Sequence, residues 1–133
     1  MASLTLYRPV GTVEVMMIAK GGWKQFPKMP DGFRFYAYSQ PPGDLRDWPD
    51  AVDDIKMFEA LEYGQEETVR SWQAWGNSPN EYYVVWFEID EKFQLNLGQP
   101  LDVNAINQAL LSPIEICARY EPAGIWKHPT ILF

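Results

Sequence analysis

The sequence has few of the side chains that most often build metal sites and nucleophilic catalytic sites. It contains one cysteine, Cys117, and one histidine, His128, so no intrachain disulfide and no metal-ligand spacing is present. A Ser-His-Asp triad would need His128 as its base, and no serine stands in a nucleophile elbow. No glycine-rich loop follows a predicted strand. We therefore expect no metal, and we expect Cys117, in an apolar run, to be a small buried hydrophobe.

Basic residues are also scarce, with 11 Lys and Arg against 18 Asp and Glu and a net charge of −7. Nucleic-acid binding draws its affinity from clustered Lys and Arg, so nucleic acid is not an expected partner. The acids cluster around residues 44–54 and 59–67. Such clusters are typical of a solvated face, and the alternative is a surface that attracts a basic protein partner.

Long apolar runs are absent. None approaches the roughly 20 residues that a membrane-spanning helix needs. The first residues, Met-Ala-Ser-Leu-Thr-Leu-Tyr-Arg, lack the charged segment and apolar core of a signal peptide. We therefore expect a cytoplasmic protein that does not associate with a membrane.

Aromatic residues are abundant, at 15% of a chain that is 47% apolar. This composition predicts a packed core, and 133 residues suit one domain over residues 1–133. The rings have two interpretations. They can fill a bulky core, or they can line a cleft or a partner surface, because Tyr and Trp join an apolar body to a polar tip.

Hydrophobic periodicity predicts an α+β fold with a central, mostly antiparallel sheet flanked by helices. Strands are predicted over 4–8, 33–39, 82–90 and 114–120, helices over 13–20, 66–75 and 103–111, and another helix from residue 50. Pro9 is expected to end the first strand, Thr12 and Asp102 to cap helices, and Gly21 and Gly22 to stop the first helix. The strand over 82–90 is apolar on both faces, which is typical of a central strand covered on both sides. The last residues, 124–133, are expected to form an extended tail.

Among the charged residues that stand inside these apolar strands, Arg8 and Glu88 are candidates for a function. Arg8 lies beside Tyr7 on the first strand, and Glu88 lies on the strand over 82–90. A buried charge is costly unless it is paired or hydrogen-bonded. Arg8 and Glu88 are therefore solvent-facing strand ends, a structural pair, or parts of a functional site.

The opening of the chain resembles a bacterial domain family that begins with a Leu-Tyr-Arg-Pro-Val-Gly strand. The matching residues are Leu6-Tyr7-Arg8-Pro9-Val10-Gly11, then Glu14, Gly21-Gly22-Trp23, Phe26-Pro27 and Phe35-Tyr36. Looser matches follow at 67–72, 83–90 and 107–120, and an acidic insert of about residues 43–65 interrupts them. Some members of this family carry a name tied to ADP-ribosylation and crystallin J1.

That layout is similar to the ADP-ribosyltransferase superfamily, in which a Tyr-Arg strand opens a cleft for NAD. The resemblance implies an ADP-ribosyltransferase-like domain that takes NAD as its cofactor or substrate. It implies that Tyr7 opens the cleft and that Arg8 binds the phosphates or ribose, a role suited to a bidentate, permanently charged group. Tyr36 or Tyr38 would stack on nicotinamide, and Ser39 would bond the ribose or the amide.

The resemblance also implies a catalytic carboxylate that stabilises a cation-like ribose as nicotinamide leaves. Related sequences carry a glutamate just before the closing helix, whereas this chain has none over residues 97–102. Asp102 is the nearest acid, although a helix N-cap explains it better. Glu88 and Glu115 lie on other strands, and Glu88 and Asp102 are the catalytic candidates. The missing glutamate has two interpretations, NAD binding without turnover and complete loss of the activity.

A second functional interpretation is a non-enzymatic module that binds a protein, such as an immunity or regulatory protein. It would use the acidic insert and a tryptophan-rich surface made of Trp48, Trp72 and Trp75. Oligomeric state follows from neither interpretation.

Overall fold

The computed structural model describes residues 2–28, 35–44, 48, 82–92, 100–120 and 130–132. The described elements are β1 (Ser3–Gly11), α1 (Thr12–Lys20), β2 (Tyr82–Asp90), α2 (Val103–Ala109), β3 (Glu115–Tyr120) and β4 (Thr130–Ile131). The strands form one antiparallel sheet in the order β1-β2-β3-β4. The predicted α+β class and antiparallel sheet are confirmed. The helices predicted from residue 50 and over 66–75, and nearly all of the acidic insert, lie outside the described residues.

β1 continues through the proline that was expected to end it. Tyr7 exchanges two backbone hydrogen bonds with Tyr38, so its N–H and C=O point away from β2. Successive residues of a strand point their backbone groups in opposite directions, so Pro9 also faces away from β2. The missing N–H of proline therefore breaks no bond with β2, and the ladder runs on from Pro9↔Val84 to Gly11↔Tyr82.

α1 follows β1 without a loop. Gly11 is the N-cap, no side chain caps the helix, and Thr12 is already helical, so the expected Thr12 cap is wrong. The predicted glycine stop is confirmed, because Gly21 is the C-cap and Gly22 adopts a left-handed φ of 73°. Trp23 also has a positive φ, 63°, and its N–H bonds to the Ile18 carbonyl. Few side chains tolerate this conformation, so the turn stores strain that packing of the indole against the core must offset.

β2 has the bounds that the sequence predicts, and it lies between β1 and β3. One face packs on the main core, which takes Val85, Phe87 and Ile89 from this strand. The other face takes Tyr82 and Val84 into a second cluster. The expectation of a central strand covered on both sides is therefore confirmed. The main core includes Leu6, Ile18, Phe26, Phe35, Ile106 and Ile114.

β3 pairs with β2 through a β-bulge. Val84 lies opposite Ala118, and Val85 lies opposite Ile116, so Cys117 is the extra residue. The bulge lets Cys117 and Ala118 both enter the second cluster, where each is fully buried.

The closing helix is shorter than predicted. Asp102 accepts a hydrogen bond from the Asn104 N–H at 3.0 Å, which confirms the predicted N-cap. α2 ends at Ala109, two residues early, because Leu110 turns extended and bridges Ile89 of β2.

The second predicted strand and the tail are only partly regular. Over residues 35–39, Phe35 bridges Leu101 and Tyr38 bridges Tyr7, with no continuous strand between them. In the tail, the described residues form the short β4. No helix in the described part of the chain has the length and apolar character to cross a membrane.

Candidate functional site

Arg8, the central residue of the resemblance, is held in a buried ion pair. Its Nε donates to Oε2 of Glu14 at 2.8 Å, and its Nη2 donates to Oε1 at 2.7 Å. Nη1 donates to the Tyr36 carbonyl at 2.9 Å, and the guanidinium lies 4.1 Å from the centroid of the Phe35 ring. The residue is only 6% exposed. One side chain therefore joins β1, the first turn of α1 and residues 35–36.

This arrangement determines what Arg8 can do. A bidentate guanidinium–carboxylate pair uses the same fork of N–H groups that would bind a phosphate. Here Glu14 occupies that fork. Alternation along β1 places Arg8 on the main-core face, beside Leu6 and Val10, and places Tyr7 on the opposite face.

Three aromatic residues form a row across that opposite face. Tyr38 pairs with Tyr7, Tyr7 pairs with Trp86, and Trp86 pairs with Glu115. Residues directly paired in antiparallel strands project their side chains to the same face, with Cβ atoms about 5 Å apart. We call Tyr38, Tyr7 and Trp86 the ring row, and Glu115 continues it on β3.

The rings of the row are half-buried. The Tyr7 and Trp86 rings are stacked, with centroids 6.4 Å apart and planes inclined by 26°. The Tyr38 ring lies parallel to the Trp48 ring, with centroids 5.0 Å apart and planes 3° apart. Because Trp48 is 2% exposed, it cannot serve as the exposed tryptophan of a partner surface. Trp72 and Trp75 lie outside the described residues.

The charged strand residues that the structure describes on this face are all acidic. Register and alternation bring Glu88 and Asp90 of β2 to the same face as the ring row, together with Glu115 of β3. Glu88 and Glu115 are exposed. Among the described strand residues on this face none is basic, since Arg8 and Arg119 alternate to the other face. The described strand residues therefore contribute only negative charge to the field at the ring row.

Three titratable side chains on the ring-row face, those of Tyr7, Cys117 and Tyr120, are neutral at pH 7 because their pKa values are raised. Burial raises the pKa of the Cys117 thiol to about 12. Burial, and then the neighbouring Cys117, raise the pKa of Tyr7. The pKa of Tyr120 is raised by burial and by the charge of Asp44, and its hydroxyl donates to the Gly43 carbonyl. Cys117 is thus a buried, unreactive thiol, as its apolar surroundings in the sequence predict.

The remaining predicted site residues are dispersed. Tyr36 is half-buried and its carbonyl binds Arg8, while Ser39 is exposed next to Tyr38. The Glu88 side chain is exposed, and the Glu88 backbone N–H donates to the Ser112 hydroxyl oxygen at 3.0 Å. Asp102 is occupied as the cap of α2.

The structure thus pairs Tyr7 with Tyr38, and it places Glu88 on the same face of the sheet as Tyr7. Sequence reasoning placed Trp86 and Glu115 on strands but gave them no role. Only the pairing register reveals them, because it places Tyr7, Trp86 and Glu115 side by side on three strands.

Comparison of the chain with protein-family models, with curated proteins and with solved structures finds no match. Within the described residues, no group of three or more His, Cys, Asp or Glu side chains is placed to hold a metal ion.

Proposed function

We propose that this chain is an ADP-ribosyltransferase-like domain that binds NAD, with the nicotinamide ring stacked on the ring row. The observation that carries the proposal is the direct pairing of Tyr7 with Tyr38. These residues are remote in sequence, and each was assigned to an NAD cleft by the resemblance. The pairing brings them side by side and half-buried, which supports their use as a stacking platform for a flat ring.

In this proposal Arg8 is a positioning residue. Its ion pair with Glu14 and its bond to the Tyr36 carbonyl fix residues 35–36 against β1. That attachment lies two residues from Tyr38 in sequence and on the opposite face of β1 from Tyr7. Losing it would loosen the pairing of Tyr38 with Tyr7, so Arg8 would act on NAD through the platform and without contact.

Ser39 is the polar group best suited to the ligand in this proposal. It is exposed, and it directly follows the platform residue Tyr38. A hydroxyl can both donate and accept, which suits either the carboxamide of nicotinamide or a ribose hydroxyl.

The two candidate catalytic carboxylates, those of Glu88 and Asp102, have different surroundings. Glu88 is exposed on the face of the ring row, where a carboxylate would stabilise positive charge that develops on a ribose. Asp102 is already bonded to the Asn104 N–H, which leaves it a weaker candidate for catalysis. The proposal is for NAD binding, and Glu88 is the residue that turnover would require.

Calorimetry with NAD tests the proposal. We expect wild-type protein to bind NAD, and Tyr38→Leu to bind it at least about fivefold more weakly, because a stacked ring contributes roughly 1–3 kcal/mol. Ser39→Ala should show a smaller loss, of one hydrogen bond. Gln40→Ala, a change at a neighbouring exposed position, serves as the matched control and should bind as wild type does. Absence of heat at millimolar NAD contradicts the proposal.

A second candidate is the protein-binding module, and exposed methionines on α1 favour it. Met16 is 59% exposed and Met17 is 45% exposed, side by side on the helix. Methionine suits adaptable contacts with a partner because its side chain is flexible and polarisable. If this face docks a protein, Met16→Glu with Met17→Glu should abolish cross-linking to that protein in cells and leave NAD binding unchanged. Cross-linking that survives the double substitution removes this candidate.

A further inference from the structure

We propose that the ring row selects a flat ring that carries a positive charge, and that Glu115 sets this selectivity. This rests on the proposed function only for the identity of NAD as the natural ligand. The chemical class of the occupant, a planar cation, follows from the site itself.

The strand register brings an aromatic ring and a carboxylate together. Trp86 is paired directly with Glu115, so the indole and the carboxylate project from adjacent strands to one face. Such neighbours have Cβ atoms about 5 Å apart, within reach of one small ligand. A planar group stacked on Trp86 or Tyr7 would therefore have the Glu115 carboxylate at its edge.

Two electrostatic contributions at the ring row favour a cationic ligand. The face of an aromatic ring attracts cations through its quadrupole, and tryptophan does so most strongly. Glu115 and Glu88 add full negative charges on the same face, and the described strands supply no basic residue there to neutralise them. Both contributions favour a cationic ring over a neutral ring of equal size.

The two carboxylates, those of Glu88 and Glu115, differ in their distance from the ring row. Glu88 lies two residues along β2 from Trp86 and is paired with Thr5, outside the ring row. Glu115 continues the row itself. The nearer charge has the larger effect, because the interaction falls with distance and is screened by salt. Glu115 is therefore assigned as the specificity-determining residue.

NAD supplies a matched pair of ligands for this selectivity. The nicotinamide ring of the oxidised form is a planar cation, and the reduced form is neutral at that ring. The site should thus prefer the oxidised form, by about threefold to tenfold, the range that one cation–π contact and one partly screened charge provide.

The test uses two fragments of nearly equal shape, 1-methylnicotinamide, which is a cation, and nicotinamide, which is neutral. Affinities are measured by NMR titration for wild type, Glu115→Gln and Glu91→Gln. Glu91 is an exposed acid just beyond β2 and serves as the matched control. We expect the cation to bind at least about threefold tighter to wild type and to Glu91→Gln, and the preference to fall in Glu115→Gln to the smaller value that the rings and Glu88 provide.

The outcomes separate this inference from the proposed function. Equal affinity of the two fragments for wild type overturns the inference, even if NAD itself binds. A preference of undiminished size in Glu115→Gln overturns the assignment of Glu115. A preference for the cation that depends on Glu115, in a protein that does not bind NAD, supports the inference and removes the proposed function.

Discussion

Arg8 and Glu14 are six residues apart and form a two-pronged ion pair, with N–O distances of 2.7 and 2.8 Å, across the junction of β1 and α1. Both side chains are largely buried, at 7% and 14% exposure. The pair closes the strand-to-helix turn from inside, and its third bond, to the Tyr36 carbonyl, attaches a distant segment.

Breaking this pair should be costly. Glu14→Gln leaves the guanidinium without its counter-charge, and we expect the free energy of unfolding to fall by about 3 kcal/mol. Urea denaturation measures this loss. Replacing both partners, by Arg8→Met with Glu14→Leu, should recover a large part of it, since apolar groups of similar volume need no desolvation. Glu91→Gln, on the surface, should change stability little. A loss of unfolding free energy in the double variant that equals the sum of the losses in the two single variants would contradict a coupled pair.

Among the polar residues of α2, Asn107 should be the most sensitive to substitution. Its Oδ1 accepts from the Phe26 N–H at 2.7 Å, and its Nδ2 donates to the Phe26 carbonyl at 3.0 Å. The side-chain amide thus satisfies both backbone groups of a buried residue. Asn107→Asp keeps the shape but turns a carboxylate oxygen toward a carbonyl, so we expect a loss of about 2 kcal/mol in unfolding free energy.

The matched control for this prediction is Asn104→Asp. Asn104 is exposed on the same helix, near its N-terminus, where an added negative charge is tolerated or favourable. Equal effects of the two substitutions would show that the Phe26 contact does not hold α2.

The cap of α2 gives a prediction that separates structure from catalysis at Asp102. The side chain accepts the Asn104 N–H, a bond that asparagine can also make. We expect Asp102→Asn to be nearly neutral and Asp102→Ala to cost about 1 kcal/mol in thermal or urea unfolding. Gln108→Ala, exposed on the same helix, is the control. If Asp102→Asn lowered stability as much as Asp102→Ala does, the stabilising contribution of Asp102 would come from its charge and not from its hydrogen bond to the Asn104 N–H.

The buried thiol makes stability depend on alkaline pH. The pKa of Cys117 is about 12 in the folded protein, whereas an unfolded thiol titrates near pH 9. Above pH 9 the unfolded chain loses this proton first, which favours unfolding. Stability is therefore fully present below about pH 9 and falls as pH rises toward 12, by up to about 1.4 kcal/mol per pH unit from this group.

Urea denaturation between pH 8 and 10 checks the effect of the thiol in wild type and Cys117→Ala. The variant should be less stable at pH 8, because a small cavity is left in the second cluster, but its stability should fall less steeply with pH. Parallel curves would contradict a thiol whose pKa burial has raised.

The sequence predicts much of this fold because the apolar pattern is strong where the sheet is covered on both sides. β2 is apolar on both of its faces, and the sequence predicts its bounds correctly. The Asp102 cap and the glycine stop after α1 follow from local chemistry, which a sequence displays directly. Pro9 misleads, because its effect depends on which way its nitrogen faces, and only the pairing with Tyr38 decides that.

The candidate site is less visible in the sequence because register creates it. A single extra residue at Cys117 determines which β3 residues share a face with Trp86, and no local pattern marks that bulge. The partner of Arg8 is equally hidden. A spacing of six crosses a strand-to-helix turn, so neither strand nor helix periodicity joins Arg8 to Glu14.

The central claim is that nicotinamide stacks on the ring row, and saturation-transfer NMR with NAD tests it most directly. Irradiating the protein should saturate the nicotinamide ring protons more strongly than the adenine protons, and Tyr7→Leu should remove that difference while the protein stays folded. Saturation confined to adenine, or none at millimolar NAD, would contradict the account.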